Sequence, residues 1–329
     1  MTNDQNSHLI ASAFDTCYQR DYHVKSPELR RLYENAKRDQ WNAARDIDWR
    51  LPVDLDEGIF PDELIDGRGV DCYERADAKR KAEINVEFSC WRISQLLHGE
   101  EGAMLLCSQL VDVVPGNDAK LFQTTQTIDE ARHVEALSRY LLDKCGGRIY
   151  PVSPNLKQLF DYLLGGNPWF IKTIGLQLIA ETFAVSLFRL LGETVKDPLL
   201  GGICRRILSD ESRHMGFAIL SLPEEIASLN AAELREVEDF TRLALDLVTR
   251  GQFPREAYEK VGFNSSEIGA IRSARGGAAA GNEAAHFRRL FRREMHSTIV
   301  ANLNRVGLLT DRIGGYLREL GINPETTSA

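Results

Sequence analysis

The sequence predicts an all-α protein built as a helix bundle. Apolar residues recur at three- and four-residue spacing over most of the 329 positions, whereas the alternating pattern of strands is nearly absent. Proline and glycine separate the periodic segments, as at Pro115 and Gly116. Since 43% of the residues are hydrophobic, the chain can bury a sizeable core, and we expect one domain over residues 1–329.

The predicted helices follow one another along the chain. The first runs from about Pro27 to Arg45, with Ser26 as its N-cap and Pro27 in its first turn. Residues 46–69 contain two prolines and three glycines and are expected to connect it to the next helix. Further helices are predicted at about 71–114, 119–145, after Pro154, 168–191, 198–220, 231–251 and 283–321. The stretch SARGGAAAGNEAA before the last of them is predicted to be a flexible loop or helix break.

Composition excludes several classes of partner. The formal net charge of −8 and the pI near 5.5 argue against nucleic-acid and anionic-membrane binding. The six cysteines form no CxxC pair, so neither a zinc site nor a disulfide framework is indicated. Reduced thiols and a polar N-terminus without a secretory signal predict a cytoplasmic protein.

One segment, Trp169–Leu191, is apolar and long enough to cross a bilayer. It nevertheless carries Lys172, Gln177, Glu181 and Arg189, which are costly to place in lipid. We therefore expect a helix buried inside the protein.

Two motifs carry the chemistry of the sequence, IDEARH and SDESRH, each with a Glu-x-x-His pair. Glu130 and His133 form the first pair, and Glu211 and His214 form the second. Residues three apart on a helix project in similar directions, so each pair can present a carboxylate and an imidazole to one point. A single such pair occurs by chance on many solvated helices.

Each pair is preceded by another carboxylate in apolar surroundings. Glu100 lies 30 residues before Glu130, and Glu181 lies 30 residues before Glu211, so the unit repeats at an offset of 81 residues. Glu100 shares its helix face with apolar residues, unlike Glu101. A helix bundle places such a set of ligands between facing helices. A shared divalent metal explains the burial of the Glu181 carboxylate better than a buried ion pair does.

The ligand types indicate which metal binds. Four carboxylates and two imidazoles make a hard, oxygen-rich site that suits iron or manganese rather than tetrahedral zinc. Six ligands for two ions leave positions open for O₂ and water. We therefore predict two iron ions, with mixed Fe/Mn or two Mn as alternatives, and O₂ as co-substrate.

Both motifs also place an aspartate before the glutamate and an arginine before the histidine. Ligand histidines usually donate their second N–H to a carboxylate or carbonyl. We predict this role for the aspartates across a pseudo-two-fold axis, with the arginines neutralising them; exposed ion pairs within each helix are the alternative. The four residues are Asp129, Arg132, Asp210 and Arg213.

At these residues the sequence resembles the ferritin-like di-iron carboxylate superfamily. GEEGA, IDEARH and SDESRHM are similar to the ligand motifs of the hydroxylase subunit of bacterial multicomponent monooxygenases, and the resemblance covers about Trp91 to Ala218. It implies a ferritin-like four-helix bundle core over about 71–221, with accessory helices at 27–45 and 231–321. It also implies that one iron is held by Glu100, Glu130 and His133 and the other by Glu181, Glu211 and His214. Some of these carboxylates are expected to bridge the two irons.

Three positions depart from related families. Val185 stands where those monooxygenases have a threonine, and Leu137 stands where the ribonucleotide reductase small subunit has its radical tyrosine. Gly102 replaces the valine that related ligand-binding oxidases crosslink to a tyrosine. Neither a radical tyrosine nor a crosslink is therefore expected. With Leu96, the residues Leu137 and Val185 are predicted to line an apolar substrate pocket.

The function that follows is an O₂-dependent oxidation of a small organic substrate with an apolar portion. Hydroxylation, desaturation, oxidative cleavage and N-oxygenation all remain open. An external electron donor, either a reductase or a ferredoxin, is expected, and a homodimer is compatible with the resemblance. Two alternatives are a ferroxidase, iron-handling or peroxide-removing protein, and a metal-free scaffold subunit; the retained ligands count against the latter.

Overall fold

A computed structural model describes residues 9–249, 252–276 and 283–325, with side chains described throughout except at 276 and 283–290. Within these ranges the regular structure is helical and no strand occurs, which confirms the all-α prediction. In chain order the α-helices are α1 Pro27–Arg38, α2 Asp71–Glu74, α3 Ala78–Val113, α4 Asn117–Arg139, α5 Pro154–Leu163, α6 Trp169–Thr173, α7 Glu181–Thr194, α8 Pro198–Ser228, α9 Ala231–Thr249, α10 Arg255–Lys260, α11 Ser265–Gly276, α12 Glu283–Arg305 and α13 Asp311–Glu319.

Two helical hairpins form the centre of the fold. The first pairs α3 with α4, and the second pairs α7 with α8, while α4 and α8 contact each other between them. Gly116 makes the turn of the first hairpin with a φ of +85°, a conformation that glycine adopts without strain. Asp197 caps α8 by accepting from the backbone N–H groups of Leu199 and Leu200. These hairpins are the two copies of the 81-residue repeat.

Helix α1 packs across α4 and α8, and Ser26 caps it as predicted by accepting from Leu29 N–H. It ends at Arg38 rather than Arg45. The side chain of Asn42 accepts from the backbone N–H groups of Ala44 and Arg45, and this local turn competes with continued helix.

Other predicted helices also differ at their ends. The 71–114 region is interrupted at 75–77 between α2 and α3, and α8 continues through Pro223 to Ser228. The 283–321 region divides at 306–310, where Gly307 has a φ of +80°. Of the Gly/Ala-rich stretch 273–285, residues 277–282 lie outside the described part of the chain.

Two segments of π-helix interrupt the bundle, Tyr140–Lys144 after α4 and Ile174–Ala180 directly before α7. The second belongs to the continuous helix Trp169–Thr194, which is long and apolar enough to cross a membrane but has 72% of its most apolar window buried inside the protein. A π-turn adds a residue to the helix and changes which side chains face inward, and such turns are frequent at functional sites. Here the turn immediately precedes Glu181.

Candidate metal centre

The bundle brings all six predicted ligands together in its interior. Helix α3 supplies Glu100, α4 supplies Glu130 and His133, α7 supplies Glu181, and α8 supplies Glu211 and His214. None of the six is more than 5% exposed.

His133 is the centre of the first group. Its Nδ1 lies 3.1 Å from Glu100 Oε2, 3.2 Å from Glu130 Oε2 and 3.2 Å from Glu211 Oε1. One atom from each of these four residues lies within 4.8 Å of the corresponding atoms of the other three. The spacing fits four donors around one ion.

His214 is the centre of the second group, which mirrors the first. Its Nδ1 lies 3.2 Å from Glu130 Oε1, 3.3 Å from Glu211 Oε2 and 3.8 Å from Glu181 Oε1. These four residues also place one atom each within 4.8 Å of the others. Glu130 and Glu211 therefore belong to both groups, and each directs one carboxylate oxygen to each histidine.

The outer nitrogens of the histidines face aspartates of the opposite motif. His133 Nε2 lies 3.1 Å from Asp210 Oδ2, and His214 Nε2 lies 3.2 Å from Asp129 Oδ2. Because an ionised carboxylate only accepts hydrogen bonds, each Nε2 is the donor to its aspartate, and Nδ1 is the nitrogen that would bind a metal ion.

Two arginines join these aspartates into a buried quartet. Arg132 Nη2 lies 2.5 Å from Asp129 Oδ1 and 3.2 Å from Asp210 Oδ2. Arg213 Nη2 contacts Asp210 Oδ1 and lies 3.3 Å from Asp129 Oδ2. The aspartates are 1% exposed and the arginines less than 10%, so these are not solvated pairs within single helices.

Trp41 is a partner of the site that the sequence analysis missed. Its Nε1 donates to Asp210 Oδ2 at 2.8 Å, and its ring stacks on His133 with 6.2 Å between centroids. Beside it, Gln40 accepts from Arg132 Nη1 at 2.7 Å. Both residues follow the end of α1, and no local pattern in the sequence assigns them to the bundle.

The electrostatics of the ligand set indicate that it accommodates a cation. Burial, with neighbouring carboxylates adding to it, holds the pKa values of Glu100 and Glu181 well above their usual range. Burial alone would lower the pKa values of both histidines, but the surrounding carboxylates outweigh it and raise them. Glu181 Oε2 has no hydrogen-bond partner among the described residues, and Glu211 Oε1 has only its 3.2 Å approach to His133 Nδ1. Four crowded carboxylates with free oxygens are a donor set that divalent iron or manganese fits.

A cavity of about 210 Å³ is lined in part by residues that lie close in sequence to two of the ligands. Leu96, one turn before Glu100, and Ala180, directly before Glu181, are among its lining residues. Phe183 and Leu187 of α7 and Met295 of α12 make much of its wall. Of the predicted pocket residues, only Leu96 is among its lining side chains; Leu137 and Val185 are buried in the core.

Arg92 gives this cavity a cationic group that the sequence analysis did not single out. Its guanidinium lies 5.6 Å from the ring centroid of Phe88 and 5.3 Å from that of Trp91. It forms no ion pair within 4.0 Å in the part of the chain that is described, although the charge of Asp66 in the same cavity acts on it. Burial, with Arg275 nearby, lowers the pKa of Arg92 to about 10, so it is charged at neutral pH. Arg275 itself lies 3.5 Å from Asp66.

Solved structures resemble this chain in fold. Two variants of an R2-like ligand-binding oxidase, one aerobically and one anaerobically reconstituted with an Mn/Fe cofactor, are 17% and 18% identical to it. The matches cover 87% and 86% of this chain and 94% of each oxidase, with TM-scores of 0.53 and 0.54. No curated protein matches the sequence.

A family model gives the assignment. The model of the p-aminobenzoate N-oxygenase AurF matches residues 25–307, which include both hairpins and every ligand of the centre. AurF is a di-iron N-oxygenase, in agreement with the buried carboxylates and histidines and with the ferritin-like neighbours. The chain therefore belongs to the p-aminobenzoate N-oxygenase AurF family of O₂-dependent, non-haem di-iron oxidoreductases.

Proposed function

We propose that this protein binds two metal ions through the six buried ligands and uses them to oxygenate the nitrogen of a small aromatic amine. The sharing of Glu130 and Glu211 between the two histidine groups is the observation that carries the metal assignment. In this proposal Glu130 and Glu211 would serve both ions, Glu100 and His133 would hold one ion, and Glu181 and His214 would hold the other.

Bound ferrous ions would supply electrons and open positions for the reduction of O₂. The protein residues contribute orientation and shielding. Asp129 and Asp210 hold the imidazoles in the tautomer that directs Nδ1 inward, and Trp41 covers Asp210 from the side of α1. The burial of all six ligands excludes bulk water, which strengthens the electrostatic interactions within the site.

The lining of the cavity supports a substrate that is an aromatic amine and also carries an acidic group. Its walls are largely aliphatic and aromatic, and Arg92 offers a guanidinium without a carboxylate partner in the described chain. Arginine recognises carboxylates through parallel N–H donors. The substrate in the name of the family, p-aminobenzoate, has both an aromatic amine and a carboxylate.

The reaction balances with an external reductant. One amine, one O₂, two electrons and two protons give a hydroxylamine and one water, with a new N–O bond and the O–O bond broken. We propose that a reductase or ferredoxin supplies the electrons. We also propose a cytoplasmic location, which the six free thiols support. A homodimer is proposed as well, and light scattering would test it.

The proposal is tested with iron-loaded, reduced protein, p-aminobenzoate and ¹⁸O₂, followed by mass spectrometry. We expect one ¹⁸O atom on the product nitrogen. Arg92→Met should weaken p-aminobenzoate binding by about 10- to 150-fold, since a hydrogen bond to a charged group contributes about 1.5–3 kcal/mol. Arg92→Lys should retain part of the affinity.

Aniline, which lacks the carboxylate, is the matched control. Its binding should change little in Arg92→Met. Equal losses for both amines would contradict the role of Arg92. Oxygen uptake that yields only a growing ferric mineral would replace the proposed function with iron handling.

A further inference from the structure

The two halves of the metal centre have the same ligands but different surroundings. The 81-residue offset that relates the ligands also relates Leu96 to Gln177 and Gln126 to Ile207. The Glu181 half therefore contains two amide side chains where the Glu100 half contains two aliphatic ones. All four side chains are buried.

Gln126 contacts two of the ligand carboxylates directly. Its Nε2 donates to Glu181 Oε1 at 2.7 Å and to Glu130 Oε1 at 3.1 Å. A carboxylate that binds a metal ion only accepts hydrogen bonds, so the nitrogen of the Gln126 amide is the atom that suits both carboxylates. Its Oε1 then accepts from Gln177 Nε2 at 2.9 Å.

This amide chain is not explained by its own hydrogen bonding. Gln177 Nε2 also donates to Gln123 Oε1 at 3.3 Å, but Gln177 Oε1 and Gln123 Nε2 have no partner in the described structure. Leaving buried amide atoms unpaired costs stability. Leu96 and Ile207 at the equivalent positions show that the bundle accommodates aliphatic side chains there.

We propose that Gln126 is a positioning residue that makes the two metal positions unequal. It holds Glu181 Oε1, the oxygen that lies 3.8 Å from His214 Nδ1, while Glu181 Oε2 has no hydrogen-bond partner among the described residues. Glu100 receives no amide hydrogen bond in the described chain, and its side chain hydrogen-bonds there with His133 alone. The position of Glu181 and His214 is thus the preorganised one. This inference rests on the proposed metal site.

Mn²⁺ is the probe for the test, with wild-type protein, Gln126→Met and Gln123→Met compared. Methionine keeps the length of glutamine and removes the donor. Calorimetry measures the two affinities, and anomalous scattering from Mn²⁺-soaked crystals shows which position is filled. Loss of a side chain that orients a ligand typically lowers metal affinity by about 10- to 100-fold. We expect that loss in Gln126→Met at the Glu181 position alone.

Gln123→Met is the matched control, because Gln123 lies on the same helix and is equally buried but contacts no ligand. It should bind both ions as the wild type does. If Gln126→Met does not fold, Gln177→Met serves instead; it removes the donor that fixes the Gln126 amide, and it should lower affinity at the same position.

The outcomes separate this inference from the proposed function. Wild-type protein that does not bind two ions overturns the metal site itself. Wild-type protein that binds two ions, together with unchanged or equally weakened positions in Gln126→Met, overturns the role of Gln126. An equal effect of Gln123→Met overturns it as well.

Discussion

Replacing Asp210 with asparagine tests how the buried quartet supports the metal centre. Asp210 accepts from His133 Nε2 at 3.1 Å, Trp41 Nε1 at 2.8 Å and Arg132 Nη2 at 3.2 Å, and it also contacts Arg213. The charges around it hold the pKa of Asp210 below its usual value, so it is ionised. Asp210→Asn removes this charge without changing the size of the side chain.

The magnitude of the effect follows from these contacts. The substitution leaves two buried arginines facing one carboxylate, and breaking a buried ion network in this way costs about 3–5 kcal/mol of unfolding free energy. An asparagine also orients His133 less firmly, which typically costs about 10- to 100-fold in metal affinity, or about 1.4–2.7 kcal/mol. The affinity loss should be confined to the position of Glu100 and His133.

Urea denaturation of the apoprotein measures the first effect, and Mn²⁺ titration with anomalous scattering measures the second. Asp129→Asn is the matched control, because it occupies the same place relative to His214. It should destabilise the apoprotein similarly but weaken the other metal position. If Asp210→Asn weakens the His214 position instead, or weakens neither, the crosswise pairing is not what orients the ligands.

Two further predictions concern protonation and packing. The pKa values of Glu100 and Glu181 are raised, and ligands bind metal when deprotonated, so metal binding should release protons. Metal affinity should therefore increase as the pH rises. Equal calorimetric heats of binding in buffers of different ionisation enthalpy would refute this. A Cβ at Gly102 would lie 2.6 Å from the ring of Phe160, so Gly102→Ala should lower the unfolding free energy by about 1–3 kcal/mol. Gly99→Ala, which meets no atom within 4 Å, should instead be neutral or stabilising by up to about 1 kcal/mol, as thermal melting with calorimetry can show.

The helical repeat explains why the ligands could be predicted from sequence. Glu130 with His133, and Glu211 with His214, are constrained by the three-residue spacing of a helix, which is a local property. Their copies at a constant offset also predicted the two hairpins. The spacing alone left open which carboxylates are shared, because that depends on how α4 and α8 face each other.

Other parts of the site depend on contacts between distant segments. Trp41 reaches Asp210 from the turn that follows the end of α1 at Arg38. Arg92 and Met295 share a cavity although about 200 residues separate them in the chain. Hydrophobic periodicity marks such residues as buried or exposed, and it does not specify which other residues they meet.

The quartet of Asp129, Arg132, Asp210 and Arg213 joins α4 to α8 through contacts that involve no metal ion. We therefore expect the bundle to fold without metal, unlike small zinc domains, where binding the ion drives folding. Carboxylate and imidazole donors accept both manganese and iron, so the ligand types alone do not select between these two metals. The composition of the cofactor would then depend also on the supply of the two metals at the time of loading.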